Sequence, residues 1–165
     1  MKKLFAALLA GILCVAACTA AFAADAQFST TLAFLTILDE AEMKYTNHGV
    51  DDDGDEHVSM GIGNDNFSYR IHYFFEGDQE HTAIFVWNII EFDAEDAVKV
   101  MQACNTLNTR YNYTCFYVDE TDNTVTCSMN LIYRDDNVGL VVTEATLYLM
   151  QIIEQAYPSL AVYAQ

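Results

Sequence analysis

The strongest constraint on the fold is a set of three apolar segments between residues 57 and 92, joined by short polar links. "HVSMGIG" (57–63) and "FSYRIHYFFEG" (67–77) alternate apolar with polar or small residues, and "TAIFVWNIIEF" (82–92) is apolar almost throughout. A period of two is typical of β-strands, and a nearly continuous apolar run is typical of a central strand covered on both faces. Because the links are short, the sequence predicts an antiparallel meander.

Three other segments follow the helical period. The first runs from Thr30 to about Tyr45, with leucines at 32, 35 and 38 near one face, and the second covers 93–111, with Asp93 as N-cap. In the second segment, Val98, Met101 and Cys104 are expected on the inner face. The third is predicted from about Leu140 to Tyr157, and Pro158 is expected to end it. The acidic segment 46–56 is predicted to be a turn-rich loop.

Residues 112–133, "NYTCFYVDETDNTVTCSMNLIY", are predicted to form a second hairpin. Matching its apolar residues pairs Val118 with Val125 and Phe116 with Cys127, because opposed residues of a hairpin share a face. The predicted order is therefore α-β-β-β-α-β-β-α. This is an α+β fold, an antiparallel sheet with packed helices.

The three cysteines after the leader are predicted to be structural. The same register points Cys115 to the opposite face from Cys127, and a disulfide between them would require a shift of one residue. Cys104 and Cys127 are interpreted as small buried apolar residues. The spacing contains no C-x-x-C pair, so no metal site is assigned, and whether any disulfide forms is left open.

No residue is assigned a catalytic, cofactor-binding or metal-binding role, and we expect the protein not to be an enzyme. His48, His57, His72 and His81 are scattered over loop and strand positions, and no catalytic partner can be placed beside them. "DDDGDE" (51–56) is rich in carboxylates but lacks the final glutamate of a calcium-binding helix–loop–helix. We interpret it as an acidic turn, with weak cation binding as the alternative.

The stretch "CNTLNTRYNYTCFYVDE" (104–120) is interpreted as the end of a helix, a turn and the start of a strand. Asn105 and Asn108 fall in the last helical turn or just beyond it. Asparagine at such a position can adopt the left-handed conformation or bond to exposed backbone groups.

The first 23 residues are predicted to be a signal peptide, with two lysines, an apolar run too short to span a bilayer comfortably, and the small-x-small pattern "AFA" before Ala24. Residues 24–165 then form a single domain. The alternative is the lipobox-like "VAAC", which would lipidate Cys18. Either form would be exported, to the periplasm, the exterior or the cell envelope, and no later stretch is long enough for a membrane span.

The charge of the chain excludes two classes of partner. The formal net charge is −17, and all 24 acidic residues follow the leader, against five basic ones. Such a chain repels nucleic acid and anionic lipid surfaces, whereas it attracts cationic partners.

"NTLN", followed by "RYNYTCFYVDETDNTVTCSMNL", resembles the YbjN-type family of bacterial proteins assigned to sensory-transduction regulation. The resemblance covers roughly residues 30–157. It implies the fold of type III secretion chaperones, with the element order given above, and it implies no catalytic residues or cofactors. It points to binding of a protein or peptide, with a homodimer as a further possibility. Because this chain carries an export leader, the expected function is that of an exported, regulatory or chaperone-like binding protein, and the alternative is an acidic, calcium-responsive envelope module.

Overall fold

A computed structural model describes residues 26–63, 67–134 and 137–165 of the chain. The predicted signal peptide and Cys18 lie outside these ranges. The helices and strands, in chain order, are α1 (Ser29–Glu40), β1 (Thr46–Val50), β2 (Glu56–Gly63), β3 (Ser68–Phe75), β4 (His81–Val86), α2 (Ala97–Arg110), β5 (Cys115–Asp119), β6 (Thr124–Ile132) and α3 (Val138–Leu160). Short 3-10 turns precede α2 and follow α3, at Ala94–Asp96 and Ala161–Tyr163.

The strands form one six-stranded antiparallel sheet in the order β1-β2-β3-β4-β6-β5. The α+β class and the predicted order of elements are confirmed. One short strand is added, because β1 lies in the segment predicted as loop. It is polar and is interrupted by a bulge between Asn47 and Gly49, where Gly49 has φ +80°. Val50 is the one apolar side chain among the five residues TNHGV, so no alternation of apolar residues in the sequence reveals this strand.

The second hairpin has the predicted register, with Phe116 opposite Cys127 and Val118 opposite Val125. Cys115 lies opposite Ser128 on the other face, and Cys104, Cys115 and Cys127 are all free thiols. Cys104 and Cys127 are buried, as predicted.

Asn108 explains the asparagine-rich helix end. Its Oδ1 accepts a hydrogen bond from the Phe116 backbone N–H at 2.7 Å, and its Nδ2 donates to the Phe116 carbonyl at 2.9 Å. The side-chain amide therefore acts as a neighbouring strand would and fixes β5 to α2. The prediction that asparagine here bonds to exposed backbone groups is confirmed for Asn108.

The buried Glu56 fixes the start of α1. Its carboxylate accepts hydrogen bonds from the backbone N–H groups of Gln27 at 2.9 Å and Phe28 at 2.8 Å, and from Asn47 Nδ2 at 3.1 Å. Burial alone would raise the pKa of Glu56, but these hydrogen bonds to the ionised form lower it. The carboxylate is therefore stable as an anion in the interior.

The core lies between one face of the sheet and the helices. Alternate residues of the strands face the helices and are fully or almost fully buried: Val58, Met60, Ile71, Tyr73, Ile84, Val86, Cys127 and Met129. The helices contribute Phe34, Leu38, Val100, Leu107, Val142, Leu149 and Ile153 to the same cluster. None of the described helices is long and apolar enough to cross a bilayer.

Two helix faces differ from the prediction. Leu32 is 56% exposed and Val98 is 62% exposed, although both were expected to face inward. In α2 the buried residues are Val100, Cys104 and Leu107, a stripe rotated from the predicted one. Several apolar residues occur on both sides of these short helices, so periodicity alone does not fix the rotation that packing selects.

Two predicted boundaries are also wrong. Strand β4 ends at Val86, because Asn88 has φ +54°, and Ile89 and Ile90 instead bond to the backbone of Val125. Helix α3 continues through Pro158 to Leu160. A proline in the last turn removes only one hydrogen bond, and continuation buries Leu160 completely.

Helices α1 and α3 approach so closely at Gly139 that a side chain does not fit. A Cβ atom at this position would lie 2.5 Å from the Ala33 carbonyl oxygen and 2.9 Å from its carbonyl carbon. Both atoms belong to the backbone of α1 and cannot move without moving that helix. The contact between the two helices therefore depends on this glycine.

We expect Gly139→Ala to lower the free energy of unfolding by about 1–3 kcal/mol, because the added methyl group forces α1 and α3 apart. Gly61→Ala is the matched control, since its Cβ would meet only the end of the Arg70 side chain, at 4.0 Å. Urea unfolding of both variants measures the difference. Equal stabilities for the two variants would contradict the tight helix contact.

Candidate functional site

The second face of the sheet carries the candidate site. Along β3 and β4, the residues that alternate with the core are half-buried, and within the described part of the chain no helix packs on them. We call this surface the open face and define it by His57, Ser59, Arg70, His72, Phe74, Phe85, Trp87, Tyr117, Ser128 and Asn130. Trp87 and Tyr117 are each 39% exposed.

Six rings extend across the open face from β1 to the end of β4, and we call them the aromatic array: His48, His57, His72, Phe74, Phe85 and Trp87. The ring centroid of His57 lies 4.2 Å from that of His48 and 4.5 Å from that of Phe74, and both pairs of rings are stacked. The His72 ring lies 4.2 Å from Trp87, which stacks on Phe85 at 5.7 Å. Such contacts hold the six rings together as one continuous surface.

The β-bulge explains how His48 reaches this array. The register of β1 against β2 shifts between Asn47 and Gly49, so His48 has no direct partner on β2. The Gly49 N–H donates to the Asn47 side chain at 2.9 Å and stabilises the bulge. A bulge changes the direction in which a side chain points, and here it allows His48 to stack on His57.

Hydrogen bonds fix the polar atoms of the array. His57 Nε2 lies 3.0 Å from His72 Nδ1, and His48 Nε2 lies 2.9 Å from the hydroxyl oxygen of Ser59. Arg70 Nη1 donates to the same hydroxyl at 3.1 Å. The three histidines are therefore held in set orientations, although they lie at a surface.

Two of these histidines are uncharged at neutral pH. Burial lowers the pKa of His57, and the nearby His48 lowers it further. Burial also lowers the pKa of His72, to about 4, and His57, Arg70 and His48 act in the same direction. At pH 7 the centre of the array is therefore neutral and of low polarity.

No contact between these histidines was predicted from the sequence. In the structure, His57 pairs with Phe74 and Ser59 pairs with His72, so His57 and His72 are diagonal neighbours on one face. The contact could have been predicted, because the short link between the alternating segments 57–63 and 67–77 restricts the register of the two strands. The position of His48 could not, since it depends on the bulge.

An acidic end borders the open face. The turns between β1 and β2 and between β3 and β4 lie side by side, and a Cβ at Gly77 would be 3.2 Å from the Gly54 carbonyl oxygen. We define the acidic end as residues 51–55 and 76–80, which include seven carboxylates and no lysine or arginine. Burial and the surrounding carboxylates of Asp51, Asp53 and Asp78 raise the pKa of Asp55, although a backbone hydrogen bond from Gly77 opposes them.

The segment 51–55 is the acidic turn that the sequence predicted. Asp51 Oδ1 accepts hydrogen bonds from the backbone N–H groups of Asp53 and Asp55, both at 3.0 Å.

In and after the neighbouring turn, the side chains of Glu76, Asp78 and His81 each place one potential metal-ligand atom within 4.8 Å of the others. Asp78 raises the pKa of His81 by hydrogen bonding. The sequence predicted no metal-binding role for these three side chains, but their carboxylate and imidazole groups could hold a divalent cation.

No family model matches the chain, and no curated protein matches it. Two solved structures are similar in fold. The HopA1–SchA chaperone–effector complex aligns with a TM-score of 0.49 and 11% identity, over 79% of this chain and 92% of that chain. YbjN from E. coli aligns with a TM-score of 0.48 and 12% identity, over 79% of this chain and 87% of that chain. YbjN is also the name of the family that the sequence resembles.

The low pKa of His72 predicts that acid destabilises the protein. The folded state takes up its proton near pH 4, but the unfolded chain does so near 6.5, so this contribution to stability is complete above 6.5 and is lost as the pH falls toward 4. We expect His72→Phe to reduce the loss over this range by about 1–3 kcal/mol, after allowance for partial exposure. Urea unfolding at several pH values measures it.

His81→Gln is the control for this experiment, because the pKa of His81 is raised and its contribution to the pH dependence has the opposite sign. An unchanged pH dependence in His72→Phe would show that His72 is not held in its neutral form.

Proposed function

We propose that this chain is an exported bacterial binding protein without catalytic activity, which binds a protein or peptide segment on the open face in a regulatory or chaperone-like role. The observation that supports this proposal is the aromatic array, a half-exposed surface with the uncharged His57 and His72 at its centre, on a sheet face that none of the described helices covers. Aromatic side chains dominate the energetics of protein interfaces.

The array suits a binding surface for two physical reasons. Phe85 and Trp87 offer large apolar areas, and their orientation is already fixed by ring contacts with each other and with Phe74. Little conformational entropy is therefore lost when a partner binds. His57 and His72 add hydrogen-bonding atoms without charge, so a partner does not have to desolvate an ion at the centre.

The acidic end determines the chemistry of the partner. Its seven carboxylates lie beside the open face, where Arg70 is the positive charge, and the whole chain carries −17. A partner that places apolar or aromatic residues on the array and lysine or arginine residues at its border is electrostatically complementary to both parts. An acidic partner would be repelled.

Binding through the face is favoured over strand addition at β5. Both the N–H and the carbonyl of Phe116 on the outer edge of β5 are bonded to Asn108. An added strand would have to displace this side chain. At the other edge, β1 is short and interrupted by the bulge, which also disfavours pairing.

Titration with short peptides that alternate leucine with lysine or leucine with glutamate tests this proposal. Trp87 is the single tryptophan of the chain, so its emission reports binding at the array. We expect a saturable change with the lysine peptide only. Phe85→Ser should weaken binding about tenfold or more, because it removes an apolar anchor from the surface.

Val98→Ser is the matched control, since Val98 is an exposed apolar residue of α2, outside the open face. Equal binding of the two peptides, or equal binding by the two variants, would contradict the proposal. Loss of a dimer in Phe85→Ser, measured by sedimentation without peptide, would instead identify a second copy of this chain as the occupant.

A second candidate function is cation binding at the acidic end, which the convergence of Glu76, Asp78 and His81 favours. If it is correct, calcium or zinc should raise the melting temperature more than sodium at equal ionic strength, because binding to the folded state stabilises it. Asp78→Asn should abolish the difference. Equal melting temperatures in all three salts would exclude this function.

A further inference from the structure

The contact between His57 and His72 can contain only one hydrogen. His57 Nε2 and His72 Nδ1 lie 3.0 Å apart, so one nitrogen donates and the other accepts. A neutral imidazole has one donor and one acceptor nitrogen, whereas a protonated imidazole has two donors. The hydrogen bond therefore depends on the protonation state of the pair.

The pair tolerates one additional proton but not two. The first can bind to the far nitrogen of the donating ring and leave the hydrogen bond intact. With a second, both facing nitrogens carry hydrogens, and two positively charged rings are directed at each other. The contact must then break, because no acceptor remains and like charges repel at this distance.

Breakage of the pair would disturb the whole array. The His57 ring lies between His48 and Phe74, and the His72 ring lies against Trp87. Neither ring can turn away without leaving one of these stacking contacts. The same change places positive charge at the centre of the surface on which a basic partner would bind.

The charged groups around the pair oppose protonation on balance. His48 approaches from β1 and Arg70 from β3, and both disfavour a charge on His72. Asp51, in the turn after β1, is the group that favours a charge on His57. From the β4 side the neighbours of the pair and of Phe74 are Phe85 and Trp87, which are uncharged. The neutral pair is therefore the stable state near pH 7.

We propose that the His57–His72 pair makes binding at the open face dependent on pH: the surface binds its basic, apolar partner while the pair is neutral and releases it when both rings are protonated. This inference rests on the proposed function of the same face. It assigns to two histidines, which carry no catalytic role, the regulation of that surface.

The first test requires no partner. Emission from Trp87 reports its contact with His72, because a protonated imidazole quenches a neighbouring indole. We expect the wild-type emission to fall as the pH is lowered from 5 to 3, through the pKa of about 4 of His72, while circular dichroism shows the fold to be retained. His72→Phe should remove this change, and His81→Gln should keep it. An emission curve that is the same in wild type and His72→Phe would overturn the inference.

The second test measures affinity for the leucine–lysine peptide at pH 7 and pH 3.5, which lie on either side of the pKa of about 4 of His72. The comparison is with the double variant His57→Phe/His72→Phe, which retains every carboxylate of the acidic end. We expect the affinity of the wild type to fall about tenfold more than that of the double variant, as repulsion between partly desolvated charges predicts.

The outcomes separate the two proposals. Binding at pH 7 with an equal pH response in wild type and double variant would overturn the pH inference and leave the proposed function intact. Absence of binding at pH 7 would overturn both, whatever the emission of Trp87 shows.

Discussion

The placement of the described helices on a single face of the sheet is the constraint on which the other features depend. Strand residues alternate between the two faces, so Ile71 and Tyr73 enter the core while His72 and Phe74, which alternate with them, do not. The tight contact of α1 with α3 at Gly139 belongs to this one-sided layer. A sheet packed on one side normally presents polar residues to water on the other. Here the second face also presents the six rings of the aromatic array.

The histidines of the aromatic array combine ring packing with hydrogen bonding at the surface of a strongly acidic protein. A face built from phenylalanine alone would favour aggregation, whereas imidazole rings pack against their neighbours and still form hydrogen bonds with serine and with each other. The surrounding carboxylates favour solubility, and their field attracts positively charged partners and repels negatively charged ones. The aromatic array and the acidic end thus act together, one through contact area and the other through charge.

Much of the fold could be predicted from the sequence, because alternation and the helical period are local signals. The pairing of Phe116 with Cys127 followed from matching apolar residues alone. The site could not be predicted to the same extent. The His57–His72 contact can be predicted only if the register of β2 against β3 is known. The position of His48 depends on the bulge in β1, and the polar sequence of that five-residue strand does not indicate a bulge. The rotation of α2, which exposes Val98, is decided by tertiary packing.

The central claim is that a partner binds the open face and not the helix layer. Photo-crosslinking tests it most directly, with p-benzoylphenylalanine placed at position 85 in one protein and at position 98 in another. After irradiation with the leucine–lysine peptide, mass spectrometry locates the adduct. We expect an adduct from position 85 and none from position 98. Adducts of equal yield from both positions, or an adduct from position 98 alone, would contradict it.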